Sequence, residues 1–240
     1  MDSRWIQGRI EEYSFYRLAK QILPKSEFPV LSYPIAKESL MSSKMESMRE
    51  KMIPQFLYIT KKEEQAIFDG TWNENTNYEH EIMKYGFYFV DVPLGCLDIS
   101  FKSWFCDQII DAMLKPYYTE DDGSICFSKR LLVKAVFCIL HEYGHYVDYK
   151  KFNSKKELAM WIYKAKEPYR RIDTYVCKMN QEGHLTEELL LERRRVYRCC
   201  KDEYSADQYA LSHLNEMIDK AIDIIWDEGD RINELVFRNR

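Results

Sequence analysis

The sequence has no apolar run near the roughly 18 residues needed to cross a bilayer, so no membrane insertion is expected. Glycine and proline are scarce, at 8 and 7 in 240 residues. That scarcity argues against an all-β sandwich or barrel, which needs frequent turn signals. Positive charge is not in excess: 35 Lys and Arg face 39 Asp and Glu, which removes the usual electrostatic footprint of a nucleic-acid binder. Glu11, Glu12 and Arg17 interrupt the N-terminal segment, so it does not read as a secretory leader. The seven cysteines are irregularly spaced and include no Cys-x-x-Cys pair, which excludes a thiolate zinc knuckle. An odd number of thiols without a leader fits reduced cysteines in the cytoplasm. No internal repeat or low-complexity tract is found.

What is present is a globular composition, 46% apolar and 31% charged, with helical periodicity through much of the chain. Residues 4–23 read as one helix, followed by a stretch broken by Pro24, Pro29 and Pro34. Residues 36–52 read as a polar, Met-containing helix. QFLYIT (55–60) and KYGFYFVDV (84–92), rich in aromatic and β-branched residues, are the best strands. From residue 99 helix dominates. SICFS (124–128) is a short apolar run, and Ser128 is placed to cap a helix that is apolar on nearly every side from Leu131 to Leu140. Two helices flank the break at Pro168, and Thr186 starts another that runs to Leu214. Leu214, Met217, Ile218, Ala221, Ile222 and Ile225 mark an amphipathic tail that stops near Gly229.

The strongest chemical signal is His141-Glu142-Tyr143-Gly144-His145. On a helix, positions i and i+4 lie one turn apart on one face, so both imidazoles can reach one ion. Glu142 projects from the same turn at another angle and can touch a water without ligating the metal. A catalytic zinc needs neutral nitrogen ligands, an open position and a carboxylate to take the water's proton. A third ligand is required. Asp148, one turn past His145, is a rival, but three ligands from one straight helix make poor geometry. Glu203 is the better candidate: Glu203 and Asp207 are i and i+4 on a second helix, and small Ser205 and Ala206 allow close helix approach. Asp207 would accept the free N–H of a ligand imidazole and fix its tautomer. A donor for the developing oxyanion is also needed. His213, His184, Tyr204 and Tyr209 are candidates, with His213 as the choice. Arg193, Arg194, Arg195 and Arg198 read as a solvated basic face, and Cys199 and Cys200 as packing residues.

HEYGH followed by Glu203-x-x-Ala206-Asp207 resembles the gluzincin zinc metallopeptidases. It is especially similar to the soluble minigluzincins and to the catalytic domains of the CAAX-type and heat-shock membrane proteases. A weaker resemblance is to the ImmA/IrrE-type peptidases. The likeness covers about residues 120–212 and says little of 1–80. It implies His141, His145 and Glu203 as zinc ligands, Glu142 as general base, Asp207 as orienting carboxylate, and SICFS as an edge strand that pairs with an extended peptide. The fold expected is α+β, mostly helical and zincin-like, with about three strands packed on the active-site helix and the glutamate helix. Residues 1–80 would form a helical or irregular cap or latency segment, and 81–240 the metallopeptidase domain. The function expected is a monomeric, cytoplasmic zinc endopeptidase acting on a peptide or protein. The alternatives are a regulatory or toxin-type zincin with one protein partner, and a non-catalytic zinc-binding interaction protein.

Overall fold

A computed structural model describes residues 3–24, 30–33, 87–90, 92–97, 107–152 and 155–238. The expected strand at 55–60, the helix at 36–52 and most of the 1–80 segment lie outside the described residues. Contacts divide the chain into two units: residues 1–56, 85–140 and 210–240 form the first, and residues 57–84 and 141–209 the second.

In the first unit, α1 (Ser3–Glu12) and α2 (Phe15–Ile22) replace the single helix expected over 4–23. The break has a local cause. The Ser14 side chain accepts from the Arg17 amide at 3.1 Å and caps α2. Backbone bonds from Phe15 to Val92 (2.9 Å) and from Leu94 to Tyr13 (2.8 Å) then hold the break against the chain before a short 3-10 turn, Leu94–Cys96. Helix α3 (Gln108–Tyr118) begins at Asp107, whose carboxylate accepts from the Ile109 amide at 2.8 Å. The first part of α4 (Phe127–Tyr149) and the last part of α8 (Lys201–Arg238) complete the unit. Its core holds Phe15, Leu18, Leu94, Leu97, Leu114 and Phe137. In α4 every residue from Leu131 to Leu140 is buried, as a helix apolar on all sides requires. The one charge in that stretch, Lys134, is 1% exposed and meets Asp111 at 2.7 Å.

The expected three-stranded sheet on the metal-site helix is not seen among the described residues. The strand pairing there is one short parallel pair, β1 (Val30–Tyr33) with β2 (Phe87–Val90), in register Val30 to Phe87, and it packs against α2. SICFS is not an edge strand either. Ile125 makes a single bridge to Thr119 that closes the turn at Gly123 (φ 81°), and Phe127 already belongs to α4. Ile125 and Phe127 are about half exposed, so the apolar run buries no sheet face. Ser128 therefore lies inside the helix, not at its cap, and its hydroxyl donates to Glu11 at 2.8 Å. The architecture is mostly helical, with eight helices among the described residues. None of them is long and apolar enough to cross a membrane.

The second unit is a set of helices: the end of α4, α5 (Lys155–Ala165), α6 (Glu167–Gln181), α7 (Glu187–Arg198) and the start of α8. The α6 terminus shows why the chain turns. Gly183 takes a φ of 75°, its amide reaches Asn180, and the His184 amide reaches Met179 at 2.8 Å. This pair of hydrogen bonds satisfies two of the last carbonyls, and the left-handed backbone it needs favours a residue without a Cβ. Thr186 then caps α7 by accepting from the Leu189 amide. Arg193 bridges back to α6 through Asp173 (2.7 Å) and the Tyr169 hydroxyl (2.9 Å). The segment expected as one helix from Thr186 to Leu214 breaks at Cys199 and Cys200, and α8 then runs on through Gly229 to Arg238 without the stop expected there.

Candidate metal centre

Two helices supply the site, and their closeness starts with one glycine. A Cβ placed on Gly144 would lie 2.9 Å from the Ala206 Cα and 3.1 Å from the Ala206 carbonyl oxygen. The missing side chain on α4 and the small one on α8 let the two backbones touch. The functional groups converge around this contact, His141 and Glu203 about a turn before it and His145 and Asp207 directly after it. His141, His145 and Glu203 each offer a ligand atom, and these atoms lie within 4.8 Å of one another. The two Nε2 atoms are 3.1 Å apart, Glu203 Oε2 is 3.4 Å from His141 Nε2, and Glu203 Oε1 is 3.9 Å from His145 Nε2. Ligand atoms at about 2.0–2.1 Å from a four-coordinate ion stand about 3.3 Å apart. The three separations bracket that edge length, so this donor set fits a divalent cation.

All three residues are buried, at 2%, 8% and 3% exposure. Asp207 lies one turn beyond Glu203, and its Oδ1 is 2.9 Å from His141 Nδ1. That contact makes Nδ1 the protonated nitrogen and aims Nε2 at the centre. Burial works against a charge on His141, but Asp207 and Glu203 outweigh it and raise the ring to about 9. Burial and the neighbouring His141 charge push His145 down to about 3. In this state His141 carries one proton more than a neutral ring, and His145 is neutral. Burial alone would raise Glu203, yet His141 and His145 hold it well below the usual carboxylate range. Burial lifts Glu142 to about 7, with Glu203 adding to the effect and His141 opposing it.

The site has members that the sequence did not announce. Arg198, at the end of α7, is 8% exposed and belongs to no solvated face. Its Nη1 donates to Glu203 Oε2 at 3.4 Å, and its Nη2 donates to Asp207 Oδ1. Lys166, at the break between α5 and α6, reaches Asp202 at 3.4 Å and Glu203 at 3.7 Å. Burial and the Glu203 carboxylate push Tyr197 well above its ordinary value. A basic residue on a helix face reads as solvated until the fold shows otherwise. The available signal was the break at Cys199 and Cys200, which takes Arg198 off the helix that carries Glu203.

The other expected residues lie elsewhere. Asp148 is buried, pairs with Lys151 and is not among the three ligand groups. His213 hydrogen-bonds Ser212 Oγ at 2.9 Å, in the segment of α8 that belongs to the first unit. His184 sits in the exposed α6–α7 connection, and Tyr204 is 57% exposed. Tyr209 stacks on Tyr143 with ring centroids 5.8 Å apart. Cys200 is buried and Cys199 exposed, and neither joins the ligand groups. Comparison with family models, with curated proteins and with solved structures finds no match to this chain.

Proposed function

We propose that the chain is a zinc-dependent peptidase that cuts a peptide or protein substrate. The observation that carries this reading is the buried group of two imidazoles and one carboxylate, with a second buried carboxylate, Glu142, on the turn that bears the imidazoles. Nitrogen and carboxylate donors in a three-ligand set suit zinc in a catalytic role. When bound, zinc supplies Lewis acidity and lowers the pKa of water in the site. The chain supplies the rest. Asp207 keeps the His141 ring in one tautomer and one orientation. Glu142, poised near 7, takes a proton from the attacking water and returns it to the leaving amine. The likeness of HEYGH and Glu203-x-x-Ala206-Asp207 to gluzincins supports the same reaction class.

The test is elemental analysis of freshly purified protein, combined with Glu142→Gln. Near one zinc per chain is expected, and the variant should retain the metal while peptide cleavage drops about 10²–10⁴-fold. A metal-free parent protein, or a variant that cleaves at the parent rate, refutes the proposal.

The tightness of the site favours one second reading. Every ligand is less than a tenth exposed, and Arg198 and Lys166 both crowd Glu203. A non-catalytic zinc site would keep the metal stoichiometry and show no cleavage of any peptide in a diverse library.

A further inference from the structure

We propose that Arg198 is a positioning residue that sets the ligand carboxylate and the orienting carboxylate together. This rests on the metal-site reading above. Glu203 and Asp207 stand one turn apart on α8, so their like charges repel. Arg198 comes from a different helix and places one arm of its guanidinium on each acid. The atoms it touches are the ones that matter. Glu203 Oε2 is also the oxygen that faces His141 Nε2 at 3.4 Å, and Asp207 Oδ1 is also the oxygen that meets His141 Nδ1 at 2.9 Å. The contacts close a ring through Arg198, Glu203, His141 and Asp207, and one planar fork fixes two sides of it.

The acids outnumber the cations at the site: Glu142, Asp202, Glu203 and Asp207 stand against Arg198 and the half-buried Lys166. Without Arg198 the two acids repel each other beside the imidazoles and lose their shared anchor. Lysine cannot replace it, because an ammonium is a single point charge that lacks the rigid fork needed to reach both oxygens at once.

The experiment is zinc competition against a chromophoric chelator at fixed pH, with the parent, Arg198→Lys and Arg198→Gln, each checked for fold by circular dichroism. Cobalt loading serves as a spectroscopic companion. Zinc affinity is expected to fall about 10–100-fold in Arg198→Lys and at least as far in Arg198→Gln. The cobalt visible bands should shift in both variants while helix content stays at the parent value. A parent that binds zinc alongside folded variants of equal affinity overturns the role of Arg198 and leaves the metal site standing. A parent that binds no zinc or cobalt overturns the metal site itself, and this proposal with it. Should one variant fail to fold, the other decides. Should both fail, Arg198 holds the helices together rather than the ligands, and the proposal is wrong.

Discussion

Gly144 sits where α4 and α8 touch, and Gly144→Ala tests whether that contact positions the proposed metal ligands. The added Cβ would meet the Ala206 Cα at 2.9 Å and the Tyr209 Cβ at 3.1 Å. Carbon atoms rest at about 3.5–4.0 Å, so the helices must part by about 0.5–1 Å. The nearest atoms are backbone and cannot rotate aside. Overpacking of this kind costs about 1–3 kcal/mol. Against it stands the gain of about 1 kcal/mol when alanine replaces glycine inside a helix. The net expectation is a loss of up to about 2 kcal/mol. Gly8 provides the control. It also lies inside a helix, α1, but a Cβ there meets nothing within 4 Å. Gly8→Ala should therefore show the propensity gain alone, about 0.5–1 kcal/mol more stable. Urea unfolding of both variants isolates the steric part as the difference between them. Zinc affinity should fall at least about tenfold in Gly144→Ala, because metal–ligand bonds tolerate deviations of only about 0.2 Å. If Gly144→Ala stabilises the protein as Gly8→Ala does and leaves zinc affinity intact, the close approach plays no part in holding the site.

Metal affinity should also depend on pH in a set direction. His141 keeps its proton up to about 9 in the metal-free protein, and an ion must displace it. Affinity should therefore rise by up to about tenfold per pH unit from 7 to 9 and level off above; a flat profile across that window refutes the assignment. By linkage, the same raised pKa stabilises the metal-free fold fully below about 6.5, and that contribution is lost as pH rises through about 9. Lys134→Met should leave stability within about 1 kcal/mol of the parent or raise it, since the partly exposed Asp111 keeps Arg130 as its partner and an ammonium no longer has to be buried. Asp111→Ala, which takes the carboxylate away from the buried Lys134 ammonium, should cost about 3 kcal/mol. Equal effects of the two substitutions on urea midpoints would contradict this account.

The meeting of His141, His145 and Glu203 was legible because its signal is local. His141 and His145 are one helical turn apart, and so are Glu203 and Asp207, and a period of 3.6 residues states which groups share a face. Ala206, which meets Gly144, was legible as a small residue that lets two helices approach. The two cations were not. Arg198 precedes Glu203 by five residues across a helix break, and Lys166 comes from another helix altogether, so no periodicity links either to the site. The sheet was over-read. An apolar run such as SICFS is compatible with a strand, a turn exit or a helix start, and only packing decides among them. Here Ile125 and Phe127 remain half exposed, so no buried face selects the strand. The break at Ser14 was missed because a serine among helix formers reads as tolerated. It becomes a cap only once Tyr13 and Phe15 bond to the distant segment at Val92 and Leu94.

The buried stretch from Leu131 to Leu140 runs straight on into His141 and Glu142. Its amides are shielded on every side, so their deuterium uptake reports the rarest openings of the chain rather than local fraying. The imidazoles thus extend a run of ten buried residues, while the connection from Gln181 to Glu188, which leads into the helix of Arg198, is exposed at every residue. Deuterium should enter the first segment far more slowly than the second.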